Sequence, residues 1–136
     1  MSVNSFDPQQ FDPSRVSTEL GKTLVEQALA AARAQDDGAE LRLTADEAAM
    51  LAPATTHAGW GAAAQDLSTE ELIMLIRLFT LGEGQFSSWQ AGAKSAVVKL
   101  VRVMKQRKEM TPELTAWIKA NSDNRFLPHG DLMDRL

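Results

Sequence analysis

Residues 68–81, Ser-Thr-Glu-Glu-Leu-Ile-Met-Leu-Ile-Arg-Leu-Phe-Thr-Leu, constrain the fold more than any other stretch of the chain. Ser68 and Glu71 are spaced as a capping box, in which the hydroxyl takes the amide three residues on and the carboxylate reaches back. Leu72, Ile73, Leu75, Ile76 and Phe79 recur at helical spacing, and Leu78 with Leu81 widens the stripe. An apolar face this wide belongs to a central, largely buried helix. Gly82 follows the last apolar residue and reads as the C-terminal stop.

Other segments fit the same pattern. Residues 93–109 place Val97, Leu100, Val101 and Met104 on one side of a second helix. Thr111-Pro112-Glu113 then restarts the chain, with Thr as cap, Pro in the first turn and Glu at the positive end of the dipole. Leu114, Trp117 and Ile118 carry that helix to about Asn121. Earlier, Asp12-Pro13 opens a stripe of Val16, Leu20, Leu24, Ala28 and Ala31, which Asp36-Asp37-Gly38 ends. Thr44-Ala45-Asp46-Glu47 is a second capping box, and Pro53 stops the short helix that it opens. The fold expected is an all-α, single-domain bundle of about four or five helices. A short strand pair near 40–43, where Leu41 and Leu43 alternate with Glu40 and Arg42, is the one alternative. Residues 1–12 read as a mobile arm, 13–136 as the domain and 53–66 as a loop or linker.

Charge and apolar bulk are divided unevenly. Residues 1–66 hold 10 acids and 4 bases, whereas 67–136 hold 8 acids and 10 bases. Large apolar residues number 14 before the division and 26 after it, while 15 of the 20 alanines precede it. Alanine buries little area, and stabilisation scales with area at about 25 cal/mol per Å². The main core is therefore expected in 67–136, with an acidic, Ala-rich layer packed on it. On that view the acidic portion lies against, or competes for, the basic helix at 93–109.

Chemistry is hard to assemble from these residues. With no cysteine there is no disulfide, thiolate metal site or cysteine nucleophile. His57 and His129 read as exposed loop residues, and His129-Gly130-Asp131 supplies too few ligands for a catalytic zinc. Gly82-Glu83-Gly84 follows a helix instead of preceding one, so it is no phosphate loop and reads as a cap and turn. The segment from Asn121 departs from a calcium loop at its fifth position, Arg125, and its sixth, Phe126. The expectation is a non-enzymatic protein with no cofactor and no metal. The N-terminus has no basic and apolar leader, and no apolar run approaches the roughly 20 residues of a membrane span. A soluble, cytoplasmic protein is expected.

Binding is the more promising class. Lys94, Lys99, Arg102, Lys105, Arg107 and Lys108 fall within residues 94–108, a stretch without an acid. On a helix, Lys94, Arg102 and Lys105 share a quarter-turn with Lys99 beside them, opposite Leu100 and Met104. Arg125 joins this face if the C-terminal turn folds back. The loop at 82–92 adds Phe86 and Trp89, which either form an amphipathic contact surface or turn inward and pin the loop to the core. The expected partner is another protein with an acidic or amphipathic surface, bound through Lys94, Lys99, Arg102, Lys105, Phe86, Trp89 and Arg125. A nucleic-acid-binding module using the same face is the alternative, opposed by the net charge of −4. The apolar residues of 125–136 either dock on the molecule's own core, as expected of a small domain, or form a peptide that another protein's groove receives.

Overall fold

A computed structural model describes residues 21–35, 41–122, 124 and 127. Among these residues the chain is all helical, with no strand. The helices are α1 (Lys22–Arg33), α2 (Ala45–Leu51), α3 (Trp60–Ala63), α4 (Thr69–Gln85), α5 (Ala96–Gln106) and α6 (Pro112–Asn121). The arm at 1–12, the expected helix start at Asp12-Pro13 and the break at 36–38 lie outside the described residues, while the stripe expected to run on from Leu20 to Leu24 is interrupted by extended backbone at Gly21, after which α1 begins.

Both capping boxes form as the sequence dictates. The Glu47 amide donates to Thr44 Oγ1 at 3.1 Å and the Thr44 amide to Glu47 Oε1 at 2.9 Å. Ser68 and Glu71 repeat the arrangement at the same two distances. Thr111 caps α6 through the Leu114 amide at 3.1 Å, with Pro112 as its first residue. Each such cap is worth about 1 kcal/mol.

Helix α4 is the centre of the bundle and packs against α1, α5 and α6. Its residues Leu72, Leu75, Ile76, Leu78 and Phe79 are buried together with Val97, Leu100, Val101 and Met104 of α5 and Ile118 of α6. The portion before residue 67 adds Leu29, Leu41, Leu51 and Trp60, but its other buried apolar residues are alanines, Ala28, Ala32, Ala48, Ala54 and Ala64. Leu127 also reaches the core, while the rest of 125–136 lies outside the described residues.

Three local expectations are corrected. The alternative strand pair near 40–43 does not form over its described residues, where Leu41 is paired by a side chain. Leu41 N–H donates to Gln85 Oε1 at 2.8 Å, and Gln85 Nε2 donates to the Leu41 carbonyl at 2.9 Å. One amide at the end of α4 thus does for Leu41 what a neighbouring strand does, satisfying both backbone groups. Residues 53–66 are not a linker either. They form 3-10 turns at Ala52–Thr56 and Ala64–Asp66 around α3, and they bury Ala54, Thr55, Trp60 and Ala64. The Trp60 indole donates to the Ala54 carbonyl at 2.7 Å, which removes the cost of burying its N–H.

The third correction concerns Gly82. Helix α4 does not stop there but runs to Gln85. Gly82 instead forms a notch for Trp89, which is wholly buried. A Cβ built on Gly82 would lie 2.1 Å from Trp89 Cε3, so only glycine admits the indole. Trp89 Nε1 donates to the Ala48 carbonyl of α2 at 2.8 Å, and the ring meets Phe79 at 5.7 Å and Phe86 at 5.3 Å between centroids.

Gly82→Ala therefore reverses the usual sign of a helix glycine replacement. Propensity alone would stabilise by about 1 kcal/mol, but displacing Trp89 is expected to cost about 3 kcal/mol. Gly84→Ala, whose added Cβ meets nothing within 4 Å, serves as the control and should be neutral or mildly stabilising. Urea denaturation of the two variants measures the difference.

Candidate functional site

The basic residues divide into groups once placed on the fold. Lys94 does not lie on α5 but closes a 3-10 turn at Gly92–Lys94, and Ser95 then caps the helix by accepting from Val97 N–H at 3.1 Å. The expected helix at 93–109 is accordingly shorter, Ala96–Gln106. Gly92, at φ 56°, makes the left-handed turn before it. At the other end Lys108, at φ 61°, takes the left-handed position of a Schellman motif. Lys108 N–H donates to the Lys105 carbonyl at 3.0 Å and Glu109 N–H to the Met104 carbonyl at 2.9 Å.

Lys99 folds back along the helix, and its Nζ donates to the Lys94 carbonyl at 2.7 Å. Burial holds its ammonium below the ordinary lysine range, and the positive charges of Arg102 and then Lys94 depress it further. Lys94, Lys99 and Arg102 thus share one electrostatic neighbourhood. Arg102 and Lys105 are exposed, one helical turn apart. Arg107 faces elsewhere: its guanidinium donates to the carbonyls of Ala64 at 2.9 Å and Gln65 at 3.2 Å, tying α5 to the segment after α3.

The aromatic half of the expected contact surface is mostly inside the protein. Trp89 is 0% exposed and is a core residue, so it is not offered to a partner. The reason is the Gly82 notch together with the Ala48 carbonyl, which accept its ring and its N–H respectively. Phe86 is half-buried and lies against Trp89. Arg125 and His129 lie outside the described residues. His57 is half-buried, and its Nδ1 accepts from Gly59 N–H at 2.9 Å, a turn-forming role.

A second cluster escaped the sequence reading. Glu83 is 5% exposed and projects from the last turn of α4. Its Oε2 accepts from Ser95 Oγ, and its Oε1 accepts from Asn124 Nδ2 at 3.0 Å. Asn124 Nδ2 donates also to the Gly92 carbonyl at 3.0 Å. The carboxyl therefore ties together the end of α4, the start of α5 and the chain after α6. Burial raises its pKa above the ordinary range, against the opposing hydrogen bonds from Ser95, Asn124 and the Ala91 backbone. Beside it lies a cavity of about 300 Å³ lined by Glu83, Gly84, Gln90, Gly92, Ser122 and Asn124. Among the described residues no group of three or more His, Cys, Asp or Glu could hold a metal ion. Nor is any helix long and apolar enough to cross a membrane.

A raised folded pKa means that the native state binds the proton more tightly than the unfolded chain does. Stability from Glu83 is then complete below the ordinary glutamate value of about 4.3 and is lost as pH rises through the folded value. In Glu83→Gln this dependence disappears, so the variant should gain on the native protein as pH rises from about 4 to about 8. Denaturant midpoints across that range measure the slope, independently of any constant offset from the altered hydrogen bonds.

Comparison of the chain with protein-family models, with curated proteins and with solved structures finds no match.

Proposed function

We propose that the protein is a non-enzymatic, cytoplasmic interaction or regulatory module that binds an acidic protein surface through Lys94, Lys99, Arg102 and Lys105, with the exposed part of Phe86 at the edge of the contact. The observation that carries this reading is the grouping of these cations on one side of α5, with Lys94, Arg102 and Lys105 exposed and Lys99 Nζ drawn back to the Lys94 carbonyl at 2.7 Å. Like charges gathered on one face gain from an apposed anion, because opposite charges at close range attract. The opposite side of α5 is committed to the core by Val97, Leu100, Val101 and Met104, so the basic residues lie on the side away from the core. Such complementarity acts chiefly on association rate and specificity.

Affinity capture with the native protein and with a Lys99→Glu/Arg102→Glu variant tests this directly. Acidic proteins retained by the native chain should be lost from the variant and released by moderate salt. An unchanged set of retained proteins would contradict the assignment. Oligonucleotides at low salt should show no binding. A log–log salt slope near −0.9 per duplex phosphate neutralised would instead assign the face to nucleic acid.

A further inference from the structure

The cavity beside Glu83 is built to favour positive charge. Glu83 is nine-tenths buried, and among the described residues the side chains that donate to it are neutral, Ser95 Oγ–H and Asn124 Nδ2–H. Two helices end at the same cavity. Glu83 and Gly84 belong to the last turn of α4, and Ser122 directly follows α6. A helix C-terminus carries roughly half a negative charge; the last turn of α6 offsets it with Lys119, whereas that of α4 holds no basic residue. The positive N-terminus of α5 meets Glu83 through Ser95, which is wholly buried behind the cavity wall. Among the described residues, no lysine, arginine or histidine lines the space.

Size narrows the class of ligand. A water molecule takes about 30 Å³ of liquid volume, and binding sites for organic ligands begin near 300 Å³. The cavity matches the small end of that range, well beyond what a bare metal ion fills. We propose that this cavity binds a small organic cation bearing a primary ammonium group, with Glu83 as its counter-ion and the Gln90 and Ser122 side chains as neutral walls. This site is separate from the basic face and does not depend on its assignment. A cation in the cavity competes with the proton that burial draws to Glu83, so its binding strengthens as pH rises through the carboxyl's folded value. The described groups packed against that carboxyl, Ser95, Asn124 and the Ala91 amide, do not titrate in this range.

The probe is n-butylammonium chloride, followed by ¹H–¹⁵N correlation spectra, with n-butanol, sodium butyrate and calcium chloride as comparisons. Saturable shifts are expected at the Gly84, Gly92 and Ser122 amides and at the Asn124 side-chain amide, with butylammonium alone. Glu83→Gln should weaken that binding about tenfold or more, the loss expected of a charge-assisted hydrogen bond. Equal shifts with n-butanol, a response to calcium but not to the amine, no response at all, or unchanged affinity in Glu83→Gln would each overturn the proposal. The comparison of butylammonium with n-butanol needs only the native protein, so it decides the matter even if the variant fails to fold.

Discussion

The contact between Trp89 and Gly82 is the one on which the rest of the arrangement depends. A tryptophan from the connection between α4 and α5 enters the surface of α4 at the one position where no Cβ stands in its way. Its N–H is taken by the Ala48 carbonyl, so the same side chain joins α4, α2 and the connection. A chain of rings, Trp60 to Phe79 at 5.5 Å, Phe79 to Trp89 and Trp89 to Phe86, runs through this contact. Aromatic pairs of this kind contribute about 0.5–1.5 kcal/mol beyond the area that they bury.

Both candidate sites are consequences of how this connection is fixed. With Trp89 anchored, the chain turns through Gly92 into the Ser95 cap, and that cap meets Glu83 on α4. The same turn sets Lys94 beside Lys99 at the start of α5. The cavity and the basic face thus share a scaffold while using different residues. Glu71 shows the contrasting behaviour of an acid at a helix start. Its carboxyl, bonded by the Ser68 amide and paired with Arg33 at 2.8 Å, is held below its ordinary range. Glu83, at the helix end and buried, is pushed the other way. Glu71 and Glu83, two of the three glutamates of α4, are separated by environment and not by chemistry.

Capping residues and apolar spacing made the helices legible, because both act over three or four residues of contiguous sequence. Ser68, Thr44 and Thr111 stand where the helix starts were read, and the stripe from Leu72 to Phe79 is the buried face of α4. What failed was long-range. A glycine after an apolar run reads as a stop, and only the indole seven residues later makes Gly82 a notch. That misreading concealed Glu83 as well. If α4 continues past Gly82, Glu83 falls four residues after Phe79 and seven after Ile76, on the buried face, where an acid is conspicuous. The alternation at Leu41 and Leu43 reads as a strand because the residue that pairs the Leu41 backbone, Gln85, lies 44 residues away. The division of the basic residues was likewise invisible, since Arg107 turns toward carbonyls 42 and 43 residues distant.

Hydrogen exchange at the Trp89 indole N–H tests the central claim most directly. If that ring is the pin that fixes the connection, its N–H should exchange only on global unfolding, with the same opening free energy as the slowest amides of α4. Rapid exchange at Trp89 while the α4 amides stay protected would show that the connection opens on its own, and that the cavity and the basic face have no common anchor.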